Sequence, residues 1–129
     1  MPVTPASIAR AFMDRINAHD IDGLTALMTD DHTFIDSLGK AIRGSKWVRP
    51  AWNMYFEFCP DYWVTHEIVI ENGETVAIFG KAGGTIAGEH RWETPAAWKA
   101  VIRDGRVQEW RVYADNKPVY DILARQECQ

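Results

Sequence analysis

The residue best placed to do chemistry is Asp36. Ile21, Leu24, Leu27 and Met28 recur at helical spacing, the doublet Asp30-Asp31 ends that pattern, and His32 to Asp36 begins to alternate, so a helix gives way to a strand. Side chains two apart on a strand share a face. If Phe34 turns inward then so does Asp36, and a carboxylate is set against an apolar interior. An acid held away from water in this way is a candidate general base. The competing role is structural, a strand-end acid hydrogen-bonded to the backbone of the Ser37-Leu38-Gly39 turn.

Other reactive residue types have plainer readings. Lys81, on a strand with Phe79, either shares the inner face and lies across a pocket from Asp36 or snorkels to the rim. Glu89, His90 and Glu93 could ligate a metal, but a glycine-broken loop without a fourth partner reads as a solvated charge cluster, and no metal or cofactor is expected. His66 alternates with Val64 and Ile68 as a sheet residue. Lys40, Arg43, Lys46 and Arg49 recur every three residues and could form a basic stripe, but in an acidic protein they are more simply the wet face around the third helix. Cys59, beside Pro60, has no neighbouring base to activate it.

The elements that must position Asp36 follow from periodicity and turn chemistry. Thr4-Pro5 caps a helix over Pro5 to Ala18 with Ile8, Phe12 and Ile16 on one face, and Asp20 caps a short second helix. Gly44-Ser45 opens a third helix running to about Phe58, in which Pro50 is expected either to kink the helix or to mark its true first turn. It is so rich in Trp47, Val48, Trp52, Met54, Tyr55 and Phe56 that burial on more than one side is expected. Beyond Tyr62 the chain reads as strands: Trp63 to Ile70, the Asn72-Gly73 turn, and Thr75 to about Ala82. Glycines at 80, 83, 84 and 88 interrupt the far end of this pair. A second hairpin joins Trp98–Ile102 to Val107–Tyr113 through Asp104-Gly105, and a short helical tail reaches Ala124.

Composition sets the frame. A chain of 129 residues makes one domain, spanning 1–129, that buries about two thirds of its unfolded surface. Its aromatic content of 12%, with six Trp, suits a core or a hydrophobic pocket. Fourteen basic against eighteen acidic residues argue against nucleic acid or an anionic membrane as partner. The sequence MPVTPASIARAF lacks an apolar signal core, and Cys59 and Cys128 make no disulfide framework, so a cytoplasmic protein is expected.

FMDRINAHDIDGLTALMTDDHTFID, the Gly-Lys-x-x-x-Gly turn into the third helix and the late DGRVQEWRVYAD together resemble the nuclear transport factor 2-like superfamily. Within it the chain is most similar to the ketosteroid isomerase and SnoaL-like (polyketide cyclase) branch. The resemblance covers nearly the whole chain and implies an α+β, cone-shaped fold in which three N-terminal helices pack on a curved, mostly antiparallel sheet around an apolar pocket. It also implies that Asp36 falls where ketosteroid isomerase has its proton-shuttling aspartate, while the two acids that hold the enolate oxygen there fall at Phe12 and Trp98. The limonene epoxide hydrolase triad falls at Phe79, Lys81 and Val112 and is absent, so that chemistry is not expected.

The resulting expectation is a protein that holds a small hydrophobic molecule. It is either an isomerase- or cyclase-like enzyme using Asp36 beside a carbonyl, or a noncatalytic ligand-binding or interaction module of the same fold. Phe12, Ile16, Trp52, Tyr55, Phe56, Phe79, Lys81, Trp98, Trp110 and Val112 are expected to line the pocket with Asp36. A homodimer through the outer sheet face is expected as well, since Trp110 and Val112 facing inward leave Arg111, Tyr113 and Asp115 facing out, where Arg111 could meet Asp115 or Glu67 of a second copy.

Overall fold

The computed structural model describes residues 3–127, and Cys128 lies outside them. The Thr4 hydroxyl accepts the Ser7 N–H at 3.1 Å and the Ser7 hydroxyl accepts the Thr4 N–H at 3.0 Å. This reciprocal cap, with Pro5 in the first turn, starts α1, Pro5–Ala18. His19 ends it in the left-handed conformation, and the Asp20 carboxylate accepts the Gly23 N–H at 2.9 Å to cap α2, Ile21–Ala26. There follow β1 Met28–Ile35, β2 Ala41–Arg43, α3 Ser45–Phe58, β3 Trp63–Val64, β4 Ile68–Asn72, β5 Thr75–Ile86, β6 His90–Arg103, β7 Arg106–Ala114 and α4 Lys117–Glu127.

The strands make one sheet in the order β2-β1-β7-β6-β5-β3, with β4 also on β5. Only the β1–β7 pairing is parallel among the described residues, so the fold is α+β with a mostly antiparallel sheet, as expected. The expected single strand from Trp63 to Ile70 is broken. Residues 65–67 leave the ladder, although Thr65 N–H still reaches the Lys81 carbonyl and Glu67 N–H the Phe79 carbonyl, both at 2.9 Å. Gly80 lets this crossing come close, since a Cβ there would meet the Thr65 carbonyl. The β5–β6 ladder is longer than the sequence suggests and runs in unbroken register from Thr75 opposite Val101 to Ile86 opposite His90. Gly80, Gly83 and Gly84 therefore do not interrupt it, and only Gly88 sits in the closing turn.

Two further expectations need correction. Helix α3 buries one face, Val48, Trp52 and Phe56, while Trp47 is 62% and Met54 71% exposed, so it is not covered on several sides. The C-terminal helix is more than a short tail, because Val119, Tyr120 and Leu123 of α4 turn toward the inner side of the sheet.

Helix α1 fills one half of the sheet's concave face. Phe12, Met13 and Ile16 are fully buried, and the Phe12 ring lies 4.6 Å from Trp110 and 5.9 Å from His32. Trp98 stacks on Trp110 at 6.4 Å, which seals this end as solid core. His32 belongs to it. Its Nδ1–H donates to the Val107 carbonyl at 2.7 Å, Nε2 is buried without a partner, and burial pushes the imidazole pKa down against that carbonyl bond and the charges of Asp31 and Glu109. A neutral imidazole in this place is a structural cross-tie between β1 and β7.

Candidate functional site

The other half of the concave face stays open. A cavity of about 360 Å³ lies between α3, α4, the end of β1 and the inner faces of β5, β6 and β7. Its floor comes from Ala82, Trp92, Thr94, Val112 and Ala114, residues that alternate inward on their strands. An aromatic wall runs along α3 and past it. Phe34 meets Trp52 edge-on at 5.6 Å, Trp52 meets Tyr55 at 6.5 Å, Tyr55 meets Tyr62 edge-on at 4.8 Å, and Tyr62 stacks on Trp92 at 6.2 Å. Tyr62 and Trp92 are buried, whereas Leu38, Phe58 and Tyr120 line the cavity and are exposed, so these three form its mouth.

Asp36 stands at that mouth, half-buried, one residue past the end of β1. Its Oδ1 accepts the N–H of Leu38 at 2.9 Å and of Lys40 at 3.0 Å, and its own N–H donates to the Lys40 carbonyl at 2.9 Å. The two readings of the sequence thus meet in one residue. Asp36 ties the turn together through Oδ1 and still presents a carboxylate to the cavity, on the face shared with Phe34. Beside it the Asn116 amide donates to the Ser37 hydroxyl at 2.6 Å, which ties the β1–β2 turn to the segment leading into α4.

Along the wall, Tyr55 and Tyr62 hold their protons firmly. Burial pushes both phenol pKa values up, with a smaller push on each from the Cys59 thiol and on Tyr62 from Tyr55. Cys59 is fully buried, and burial raises its thiol pKa too, as suits an inert cysteine. The Trp92 indole stands beside that thiol without a well-formed hydrogen bond, and the Trp52 indole N–H also lacks a partner.

A model of the SnoaL-like domain family matches residues 9–110. The chain belongs to this family. A comparison with curated protein sequences gives no match. Solved structures show the same fold at low identity. A SnoaL-like polyketide cyclase candidate from Shewanella putrefaciens superposes with a TM-score of 0.83 at 20% identity, covering 97% of this chain and 88% of that one. An LEH-like epoxide hydrolase of M. tuberculosis gives 0.80 at 20% identity, covering 94% and 90%. A Catenulispora acidiphila protein of ketosteroid isomerase-like fold, crystallised with trimethylamine, gives 0.77 at 20% identity, covering 85% and 86%.

In this SnoaL-like domain the expected pocket residues divide. Asp36, Trp52, Tyr55 and Val112 line the cavity. Phe12 and Ile16 on the inner face of α1, and Trp98 and Trp110 beneath it, point inward as expected but are packed into solid core, and Phe56 is buried with its ring stacked on His19 at 4.2 Å, so none of the five reaches the cavity. Phe79 and Lys81 are on the wrong face. Along β5 it is Val76, Ile78 and Ala82 that turn in, which puts Phe79 (44% exposed) and Lys81 outside. Lys81 therefore does not face Asp36 across the cavity. Tyr62, Trp92 and the α4 residues were not singled out from the sequence. The signal available for Trp92 was its inward parity with Thr94, Ala96 and Trp98 along β6; Tyr62 lies just before β3, outside any strand, and carried no such signal. Glu89 and Glu93 are exposed, and no group of three or more potential metal ligands occurs among the described residues. No described helix is long and apolar enough to cross a membrane.

Proposed function

We propose that this SnoaL-like domain holds a small hydrophobic carbonyl compound in the cavity and that Asp36 acts on it as a general base. The supporting observation is that Asp36 is the sole charged side chain, among the described residues, in a lining that is otherwise aromatic, aliphatic or neutral. Oδ1 is occupied by two backbone N–H groups, so Oδ2 is the oxygen that takes the proton. The proton leaves a carbon next to the carbonyl, the C–H electron pair becomes the enolate double bond, and the carbonyl pair moves onto its oxygen. Where a C=C lies beyond that carbon the product is a dienolate, and return of the proton from Asp36 to its far carbon gives an isomerisation; where the enolate carbon instead attacks a second carbonyl, that carbonyl's π pair moves onto its oxygen, which takes the proton from Asp36, and a ring closes. The description of the Shewanella relative as a cyclase candidate and the isomerase-like fold of the Catenulispora relative are compatible with either outcome.

The test is α-proton exchange of 2-tetralone in D2O, followed by loss of its proton NMR signal. Wild-type protein accelerates the exchange, and Asp36→Asn removes the acceleration while leaving the dissociation constant within about twofold. The second reading, a noncatalytic ligand-binding module, is favoured by the structural use of Oδ1. It predicts that neither form exceeds buffer although both bind.

We also propose that the domain pairs through its outer sheet face. Ile68, Ile70, Phe79 and Tyr113 are all exposed there, an apolar load unusual for a wet surface. The Arg111 guanidinium covers the Tyr113 ring at 5.1 Å, and Lys99 pairs with Glu109 at 2.7 Å on the same face. Sedimentation at micromolar concentration should give the mass of two chains and Ile70→Glu the mass of one; a single-chain mass for the wild type overturns the pairing.

A further inference from the structure

The wall of the cavity is not uniformly greasy. Tyr55 and Tyr62 place two phenols side by side on it, rings edge-on at 4.8 Å, and Tyr62 is more than nine-tenths buried. Among the described residues neither hydroxyl has a hydrogen-bond partner in the protein, yet neither oxygen is among the sealed polar atoms, which include the indole nitrogens of Trp52 and Trp92. An unpaired buried hydroxyl costs free energy, and a hydroxyl next to an open cavity recovers it by donating to whatever fills that cavity. Phenylalanine in both places would have kept the same stacking without that cost. The positions come from separate elements, the last turn of α3 and the segment leading into β3, so no local hydrogen-bonding pattern explains them.

We propose that the Tyr55 and Tyr62 hydroxyls form a hydrogen-bonding station for an acceptor oxygen, so that the ligand of this cavity is a largely apolar compound carrying a carbonyl or ether oxygen. This rests on the reading of the cavity as a ligand site and names the class of ligand it takes. The apolar body follows from the wall, where the rings of Phe34, Trp52, Tyr55, Tyr62 and Trp92 follow one another, mostly edge-on. An acceptor is required because the phenols stay protonated: burial pushes both pKa values up, so across the accessible pH range the station donates. A ligand that offered an anion would gain from these donors as well. Asp36 disfavours that choice, because it places a like charge on the same cavity.

The test compares 2-tetralone with tetralin, which has the same bicyclic shape and no oxygen, by equilibrium dialysis. Wild type should bind the ketone on the order of tenfold more tightly than the hydrocarbon. Tyr55→Phe and Tyr62→Phe should each lower ketone affinity several-fold, while tetralin affinity stays put, because only a hydroxyl is removed. The bound ketone's carbonyl stretch, read by infrared difference on the wild type, should lie below its value in hexane and return toward it in the double variant. Equal affinities for the two probes, or a ketone preference and carbonyl stretch unmoved in the double variant, overturn the station and leave the ligand cavity standing. Failure of both probes to bind overturns the cavity reading together with the station.

Discussion

Replacing Phe12 with alanine is expected to lower the unfolding free energy by about 3–5 kcal/mol while leaving 2-tetralone affinity in the folded protein unchanged. Phe12 is fully buried between Trp110 at 4.6 Å and His32 at 5.9 Å and touches no part of the cavity, so truncation leaves a void in solid core rather than a larger ligand site. A loss of that size is a large fraction of a domain's whole stability. Urea unfolding of the two forms measures it. A change below about 1 kcal/mol, coupled to altered ketone binding, would return Phe12 to the pocket wall, where the family resemblance alone had put it.

The fold was legible because its signals are local. Thr4-Pro5, Asp20, Asn72-Gly73 and Asp104-Gly105 mark element boundaries by side-chain chemistry, and the structure uses each of them. Inward parity was also legible on β6 and β7, where Trp98, Ala100, Trp110 and Val112 alternate with Lys99 and Arg111. On β5 it was not, because Val76, Ala77, Ile78 and Phe79 form a continuous apolar run with no polar residue to mark the outer face, and a slip of one exchanges Ile78 for Phe79. The charge of Lys81 could have broken that tie in favour of the outside.

The candidate site was harder to read for a different reason. A residue that packs in solid core and one that lines a cavity are both apolar and both point inward, so Trp98 and Val112 look alike in sequence. What separates them is which helix covers them. Helix α1 lies over Trp98 and Trp110, while α3 and α4 bridge the far half and leave it hollow. That assignment is a tertiary fact, and the part played by α4 was invisible because Val119, Tyr120 and Leu123 read as an ordinary amphipathic tail. Asp36 was recognisable because a carboxylate two residues from an inward Phe34 is conspicuous, though its double duty in the turn depends on where β1 ends.

The second large effect concerns ligand binding. Ala114 lies on the inner face of β7 in the cavity floor, so a phenyl ring introduced there extends into the hollow instead of into packed core. Ala114→Phe should weaken 2-tetralone binding roughly tenfold or more, equivalent to about 1.4 kcal/mol, with an unfolding midpoint close to wild type. It is the counterpart of Phe12→Ala: one removes binding and spares stability, the other does the reverse.

The measurement that bears most directly on the central claim, that the hollow between α3, α4 and the sheet is the ligand site, is therefore equilibrium dialysis of 2-tetralone against wild type, Ala114→Phe and Phe12→Ala side by side. The account predicts binding by wild type and by Phe12→Ala while it remains folded, and little or none by Ala114→Phe. Undiminished binding by Ala114→Phe, with binding lost in folded Phe12→Ala, would contradict it and move the site to the half of the sheet beneath α1.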